Sequence, residues 1–140
     1  MNFSDLLIDI TCSANTIIRK AASNHNLSSS QAFSLLSIPF DGIAMSKLSK
    51  RLGVDPSTLT RNMDNLYKLK LIDKKQSSFD RRIQLIILSN KGQKIVKSVE
   101  MQLENRFSSV FSLIDLDIQE HLYTGLEKFS WLIRCQIDNE

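Results

Sequence analysis

A group of polar and basic side chains between residues 57 and 68 has the spacing of one face of a helix. Leu59, Met63 and Leu66 recur as a buried helical stripe would, which leaves hydrogen-bond donors on the opposite face. These donors are Ser57, Thr58, Thr60, Arg61, Asn65 and Lys68. Hydroxyl, amide and guanidinium groups of this kind bind phosphate oxygens and the edges of bases. The alternative is an ordinary solvated helix face.

A second group of charged residues lies in the turn between two short segments of strand character. The turn spans residues 77–82 and ends in Asp80, Arg81 and Arg82, and two lysines, Lys74 and Lys75, belong to the first of the two segments. Arginines at the tip of a hairpin can enter a groove of negative potential. The alternative is a surface ion pair that stiffens the turn.

The distribution of charge supports a surface that binds a polyanion. The formal net charge of +3 is the sum of −1 over residues 1–42, +9 over residues 43–97 and −5 over residues 98–140. A basic segment between acidic flanks is typical of a nucleic-acid-binding face, although a solvated lysine-rich face has the same composition.

The remaining apolar pattern predicts the helices that position these groups. Apolar residues from Phe3 to Ala21 recur every three or four positions, which predicts a first helix with Ser4 available as its N-cap. A second helix is predicted over residues 29–38, before Pro39, and the turn Asp41–Gly42 follows. Two long stripes after residue 89 predict two final helices.

The middle of the chain has the pattern of two short helices followed by a hairpin. Gly53, Val54 and Asp55 separate a helix that contains Leu48 from one that begins at Pro56, which is the signature of a helix-turn-helix. Segments 71–76 and 83–88 read as strands. The predicted order is therefore α-α-α-α-β-β-α-α, a mainly α fold with a small β-hairpin wing (α+β).

Five stretches of the sequence, in this order and spacing, resemble winged-helix transcriptional regulators of the MarR/SlyA family. The resemblance covers about residues 27–97 in register, and the flanking helices agree in pattern only. The matching stretches are LSKRLGV (48–54), STLTR (57–61), LIDK (71–74), DRR (80–82) and LSNKG (88–92).

The resemblance implies a single MarR-type domain over residues 1–140 that forms an obligate homodimer on double-stranded DNA. Residues 29–97 would form the DNA-binding winged helix-turn-helix, and residues 1–28 and 98–140 the dimerisation helices. The helix after Pro56 would enter the major groove, where Arg61 contacts a guanine or a phosphate. In the wing, Asp80 would orient the hairpin, Arg81 would lie near phosphate and Arg82 would enter the minor groove. Lysines would contact the DNA backbone, namely Lys47, Lys74, Lys75 and Lys91.

Four residues depart from the family pattern. Ala44 and Lys47 occupy positions of a usual Thr-x-x-Glu capping box, so the third helix is expected to begin less firmly. Lys70 replaces the usual glycine at the end of the recognition helix, at a cost of up to about 1 kcal/mol in a left-handed conformation. Asn62 replaces an apolar residue and is expected either to contact DNA or to leave a polar group at the domain edge.

The sequence leaves the control of DNA binding open. Cys12 and Cys135 lie on the first and last helices, where the family resemblance allows a redox role, although a single Cys on an apolar helix is typically a small core residue. The resemblance also allows a small-molecule effector of unknown identity. No cofactor and no metal site is expected, because His25 and His121 are isolated.

Other classes of function have less support. A winged-helix protein that binds a protein partner instead of DNA is the main alternative, and the +9 segment argues against it. No phosphate loop or nucleophile motif indicates an enzyme. The uncharged run of residues 21–40 is half polar and contains Pro39, so no membrane span is expected, and the acidic N-terminus favours a cytoplasmic protein.

Overall fold

Nine elements make up the chain in a computed structural model that describes residues 1–140. The first helix begins at Asn2, whose side chain accepts from the backbone N–H of Asp5 while the Asp5 carboxylate accepts from Asn2 N–H. The predicted cap at Ser4 is therefore wrong, because Ser4 already lies inside the helix. The elements are α1 (Phe3–Ser23), α2 (Ser29–Leu36), β1 (Ile43–Ala44), α3 (Met45–Leu52), α4 (Pro56–Lys68), β2 (Ile72–Gln76), β3 (Gln84–Leu88), α5 (Asn90–Phe111) and α6 (Leu116–Asp138).

The sheet contains one strand more than the sequence predicts. Its order is β1-β3-β2, with both pairs antiparallel, and Ile43 pairs with Ile86 while Ile72 pairs with Leu88. The two-residue strand β1 is too short to show alternation, so only its pairing partner defines it. With this addition the mainly α fold with a small β wing is confirmed, and β2 and β3 each begin one residue later than predicted.

The chain divides into two compact units, Met1–Leu103 and Glu104–Glu140. The core of the first unit joins α2, α3, α4 and the sheet through side chains that are almost completely excluded from solvent. Its most deeply buried large side chains include Leu35, Leu48, Leu59, Leu66, Leu71, Ile72 and Ile86. In the second unit α6 has no buried residue, so no other part of the single chain fully covers its apolar stripe.

The start of α1 is also open. The predicted stripe is buried only toward the C-terminal end, at Ile18 and Ala21, whereas Phe3, Leu6 and Ile10 are exposed. The amphipathic pattern identified the helix correctly, but it did not identify which part of the stripe packs within one chain.

Helix α3 meets α4 through a tight left-handed turn. Gly53 ends α3 at φ 63°, and the N–H of Val54 donates to the carbonyl of Ser49 (3.2 Å). Ala44 precedes α3 without any side-chain cap, as its loss of the capping box predicts. Glycine suits this position because, without a Cβ atom, it adopts positive φ at no steric cost.

The junction between α4, β2 and α5 leaves no room for a side chain at Gly92. A Cβ atom placed there would lie 2.0 Å from the carbonyl oxygen of Leu71. Ser89 supports the same contact, because its N–H donates to Leu71 O (3.0 Å) and its hydroxyl to Lys70 O (2.7 Å). The first turn of α5 therefore packs directly on the backbone that follows α4.

Lys70 supplies a direct test of backbone strain. It has φ 58°, the left-handed conformation that its replacement of glycine predicts, and it closes α4 with Leu71 N–H donating to Leu66 O. We expect Lys70→Gly to raise the free energy of unfolding by up to about 1 kcal/mol, since glycine relieves this strain. Urea unfolding followed by circular dichroism at a fixed protein concentration measures the change.

The control is Lys97→Gly, which makes the same substitution at an exposed position inside α5. There glycine is expected to lower the free energy of unfolding by about 1 kcal/mol. Equal destabilisation by both variants would contradict a strained Lys70.

Candidate nucleic-acid interface

The donor face of α4 is exposed to solvent. Leu59, Met63 and Leu66 are buried against the core, as their spacing predicts, and this burial fixes the rotation of the helix about its axis. All six predicted donors lie on the solvent side: Ser57, Thr58, Thr60, Arg61, Asn65 and Lys68. The helix therefore presents one continuous polar face with two basic residues and one acidic residue, Asp64.

Asp55 organises the start of this face. Its carboxylate accepts from the Ser57 hydroxyl (2.5 Å), the Thr58 N–H (3.0 Å) and the Thr58 hydroxyl (2.8 Å). These bonds, that of Ser57 first, hold the pKa of the Asp55 carboxyl far below its usual range. Both hydroxyl protons are thus directed at Asp55, which leaves oxygen lone pairs facing solvent.

The remaining donors of α4 differ in how free they are. The Thr60 hydroxyl donates to the carbonyl of Pro56 (2.8 Å) within its own helix. The side chains of Arg61, Asn65 and Lys68 make no hydrogen bond or ion pair in the chain. These three groups can therefore bind an external partner without first breaking an internal contact.

The hairpin tip between β2 and β3 is closed by its own hydrogen bonds. Ser77 N–H donates to Ile83 O (2.9 Å), and Ile83 N–H donates to Asp80 O (3.0 Å). The Gln76 amide donates to the carbonyl of Arg81. The polar roles of Gln76 and Ser77 were not anticipated, because neither residue type is diagnostic of a turn of this length.

Asp80 holds Arg82 in a defined position. Its carboxylate oxygen Oδ1 accepts from the backbone N–H of Arg82 (2.9 Å) and from Arg82 Nε (3.3 Å). The Arg82 side chain is nevertheless 92% exposed, so the ion pair orients a guanidinium that faces solvent. Arg81 is exposed as well and has no ion-pair partner.

The four predicted backbone lysines have different surroundings. Lys47 and Lys75 are exposed, on α3 and β2 respectively. Lys74 lies with its ammonium 5.7 Å from the centre of the Tyr67 ring, which joins β2 to α4 by a cation–π contact. Lys91 donates to the carbonyl of Leu69 (3.3 Å), so it also supports the end of α4.

Asn62 occupies neither of the two positions expected from the sequence. Its amide donates to the hydroxyl of Ser34 (2.6 Å), which is buried and itself donates to Ser30 O (2.9 Å). Asn62 thus connects α4 to α2 with its polar group satisfied inside the chain. The pairing of two polar residues 28 positions apart leaves no signal in a single sequence.

The two cysteines are far from the basic face in sequence and are not bonded to each other. Cys12 is exposed on α1, so the expectation of a small core residue is wrong for the single chain, and Cys135 is half-buried. No group of three or more His, Cys, Asp or Glu side chains is placed to hold a metal ion. No helix has the combination of length and apolar character that crossing a bilayer requires.

Comparison with known sequences finds a family match in the middle of the chain. Residues 39–83 match the sequence model of the MarR family. A relative from Bacillus subtilis (strain 168), the uncharacterized HTH-type transcriptional regulator YhbI, is 30% identical over 78 residues, which are 56% of this chain and 51% of the relative. The chain therefore aligns with about half the length of this curated relative.

Solved structures agree along almost the whole chain. The apo form of wild-type MarR from E. coli has a TM-score of 0.77 at 21% identity and covers 92% of this chain and 97% of its own. MepR from S. aureus, in a complex with DNA, has a TM-score of 0.72 at 20% identity and covers 92% and 96%. At these identities the likeness establishes the fold alone.

The Asp55 network predicts a pH-dependent stability. Because the folded pKa lies below the unfolded one, ionised Asp55 stabilises the fold above about pH 4, and this contribution is lost as the pH falls. Asp55→Asn keeps an acceptor for the cap but cannot ionise. We expect wild type to exceed Asp55→Asn in urea midpoint at pH 7 and the difference to shrink toward pH 3.

Asp55→Ala serves as the second variant, since it removes the cap itself and is expected to be less stable at both pH values. A difference between wild type and Asp55→Asn that does not change with pH would contradict the role of the carboxylate charge.

Proposed function

We propose that this chain, a member of the MarR family through its residues 39–83, is a dimeric transcription regulator that binds double-stranded DNA. The observation that carries the proposal is the position of the exposed donors of α4 and of the hairpin tip, all within the segment 43–97 of net charge +9. A surface of this kind supplies the phosphate neutralisation and the directional donors that DNA recognition requires.

Helix α4 is the proposed recognition element in the major groove. The guanidinium of Arg61 would make a bidentate contact with guanine, and the amide of Asn65 would do the same with adenine. Lys68 would bind phosphate at the far end of the helix. Ser57 and Thr58 have their hydroxyl protons on Asp55, so we infer that they accept hydrogen bonds, for example from the amino groups of bases, unless the Asp55 network opens.

The hairpin tip is the proposed second contact. Arg82, held by Asp80, would enter the minor groove, and Arg81 would bind a nearby phosphate. Lys47 and Lys75 are placed to add backbone contacts. Lys74 and Lys91 would contribute charge while also supporting the end of α4, so their replacement is expected to affect position as well as affinity.

Dimerisation is proposed through residues 1–28 and 98–140, with residues 29–97 as the DNA-binding part. Its support is the set of large apolar side chains that one chain leaves exposed on α1 and α6, among them Phe3, Ile8, Leu126 and Trp131. A two-fold dimer would bind a pseudo-palindrome whose half-sites lie about one helical turn apart, roughly 10 bp between centres. At a promoter we expect the bound dimer to repress transcription by occluding the site. We also expect the protein to lie in the cytoplasm and to have no catalytic activity.

An effector site would fit between α2, α3 and α4. A cavity of about 500 Å³ there is lined by apolar side chains, among them Phe33, Leu52 and Leu59, and by polar groups that include Ser34, Arg51, Thr58 and Asn62. This volume is in the range that small molecules occupy. Since Thr58 also belongs to the donor face, a ligand in this cavity would compete with DNA for the same part of α4.

The first test of the DNA mechanism is the salt dependence of binding. We expect wild type to bind a selected duplex tightly, with an affinity that falls steeply with salt. Arg61→Ala and Arg82→Ala should each weaken binding by about tenfold or more and reduce the salt slope by about one wherever a phosphate contact is lost. Fluorescence anisotropy on DNA from upstream of the gene, or on a duplex from random-sequence selection, measures both quantities.

The matched control is Arg134→Ala, which removes an exposed arginine of α6 in the acidic part of the chain. It should still sediment as a dimer, and in that state it should leave affinity and slope unchanged. If neither Arg61→Ala nor Arg82→Ala changes binding, the proposed contacts are wrong. If wild type binds no duplex at low salt, a protein partner becomes the better explanation of the fold.

The dimer can be tested at Trp131, the only tryptophan of the chain, which is exposed on α6. We expect wild type to sediment at twice the chain mass of 16.0 kDa, and Trp131→Asp to sediment as a monomer because it places a charge in an apolar interface. Trp131→Phe keeps the apolar contact and should remain dimeric. Analytical ultracentrifugation measures all three, and a monomeric wild type at micromolar concentration would contradict the proposal.

A further inference from the structure

Phe79 is an aromatic side chain that stays exposed to solvent at the rim of an open groove. It is fully exposed, at 100% of its accessible area, and it directly precedes Asp80, Arg81 and Arg82 in the hairpin tip. An apolar ring in water at the end of a turn contributes nothing to the stability of the chain, because no apolar area is buried there. Its exposure leaves the ring available for an external contact.

The backbone around Phe79 is held in place even though its side chain is free. Phe79 N–H donates to the Ser77 hydroxyl (3.2 Å), and Ser77 is itself buried and paired with Ile83. On the other side of the ring-bearing residue, Asp80 fixes Arg82. The phenyl ring and the guanidinium are thus presented by one closed turn of seven residues, 77–83.

We propose that Phe79 is a DNA-contacting wedge, which inserts its ring from the minor groove against a base step next to the site of Arg82. The inference rests on the proposed DNA-binding function. A hairpin tip that places Arg82 in a groove about 6 Å wide must bring the neighbouring residues to the same groove. Phenylalanine is one of the side chains that architectural proteins insert between bases from that side.

The charge around the ring favours DNA over a protein surface as the occupant. The two residues that follow Asp80 are exposed arginines, and Lys75 lies on the strand that leads to the tip. Phe79 also borders an open groove with Phe40 and Ile83, which is the alternative site for an apolar partner. Phe40 is 89% exposed but lies outside the hairpin. A substitution at Phe40 therefore affects an apolar partner in the groove, but not a DNA contact made by the hairpin tip.

The wedge would add sequence preference that no hydrogen bond provides. Partial unstacking costs least at pyrimidine–purine steps, such as TA and CA/TG, because these steps are flexible. Wild-type protein should therefore select such a step beneath the hairpin tip. The preference would come from deformability of the DNA and would be independent of the bases that α4 contacts.

The experiment compares Phe79→Ala and Phe79→Leu with wild type and with Phe40→Ala as the matched control. On a selected duplex, Phe79→Ala should weaken binding by about tenfold without changing the salt slope, since an apolar contact releases no counterion. Phe79→Leu should restore most of the affinity, because leucine can also act as a wedge. Phe40→Ala should bind as wild type does.

Two further measurements are specific to a wedge. Energy transfer between dyes at the duplex ends should report a smaller bend with Phe79→Ala than with wild type, and random-sequence selection should lose the flexible step beneath the tip. Equal affinity and equal bending for wild type and Phe79→Ala would overturn the wedge while leaving the proposed function intact. Equal losses for Phe79→Ala and Phe40→Ala would also overturn it, in favour of the apolar groove. Wild type that binds no DNA would overturn both proposals.

Discussion

The burial of one face of α4 is the interaction on which the rest of the structure depends. Leu59, Met63 and Leu66 pack into the core between α2, α3 and the sheet, and they set the rotation of the helix. A rotation of one residue, about 100°, would bury donors and expose leucines, which is costly in both directions. The orientation of the polar face of α4 is therefore set by the buried side chains on the opposite face of the helix.

Charge and apolar exposure are separated along the chain in a way that the fold explains. The basic segment coincides with the helix-turn-helix and the wing, whereas the exposed apolar side chains concentrate at the start of α1 and along α6, beside acidic residues. A surface for a polyanion must remain hydrated and cationic until it binds, but an apolar surface must be covered to be stable. Different elements of this chain meet most of each requirement, and the exposed Phe79 in the basic wing is an exception.

Much of this arrangement could be predicted from the sequence, because the signals are local. Periodicity located α4 and its buried stripe, Asp55–Pro56 located its start, and Gly53 located the turn before it. The left-handed conformation at Lys70 is an implication of the family resemblance, whose pattern has a glycine at the end of this helix. The position of α4, its buried stripe and the turn before it each depend on a few neighbouring residues, so the local sequence pattern is enough to predict them.

The features that could not be predicted depend on distant partners or on competition between equivalent neighbours. Strand β1 exists only because Ile43 meets Ile86, and Asn62 is satisfied only because Ser34 lies opposite it. Asn2 and Ser4 are both good N-caps, and the choice between them follows from the reciprocal bond with Asp5. For the candidate site, the sequence identified the donor residues but not that Asp55 holds two of their hydroxyl protons.

The absence of a side chain at Gly92 has a mechanical consequence. The first turn of α5 packs directly on the backbone of Leu71, and Ser89 and Lys91 donate to the carbonyls of Lys70 and Leu69, which follow α4. No soft side chain lies between them to absorb a displacement. We therefore expect a tilt of the first turns of α5 to displace the end of α4, and with it the donor face, because the two helices are joined through backbone contacts.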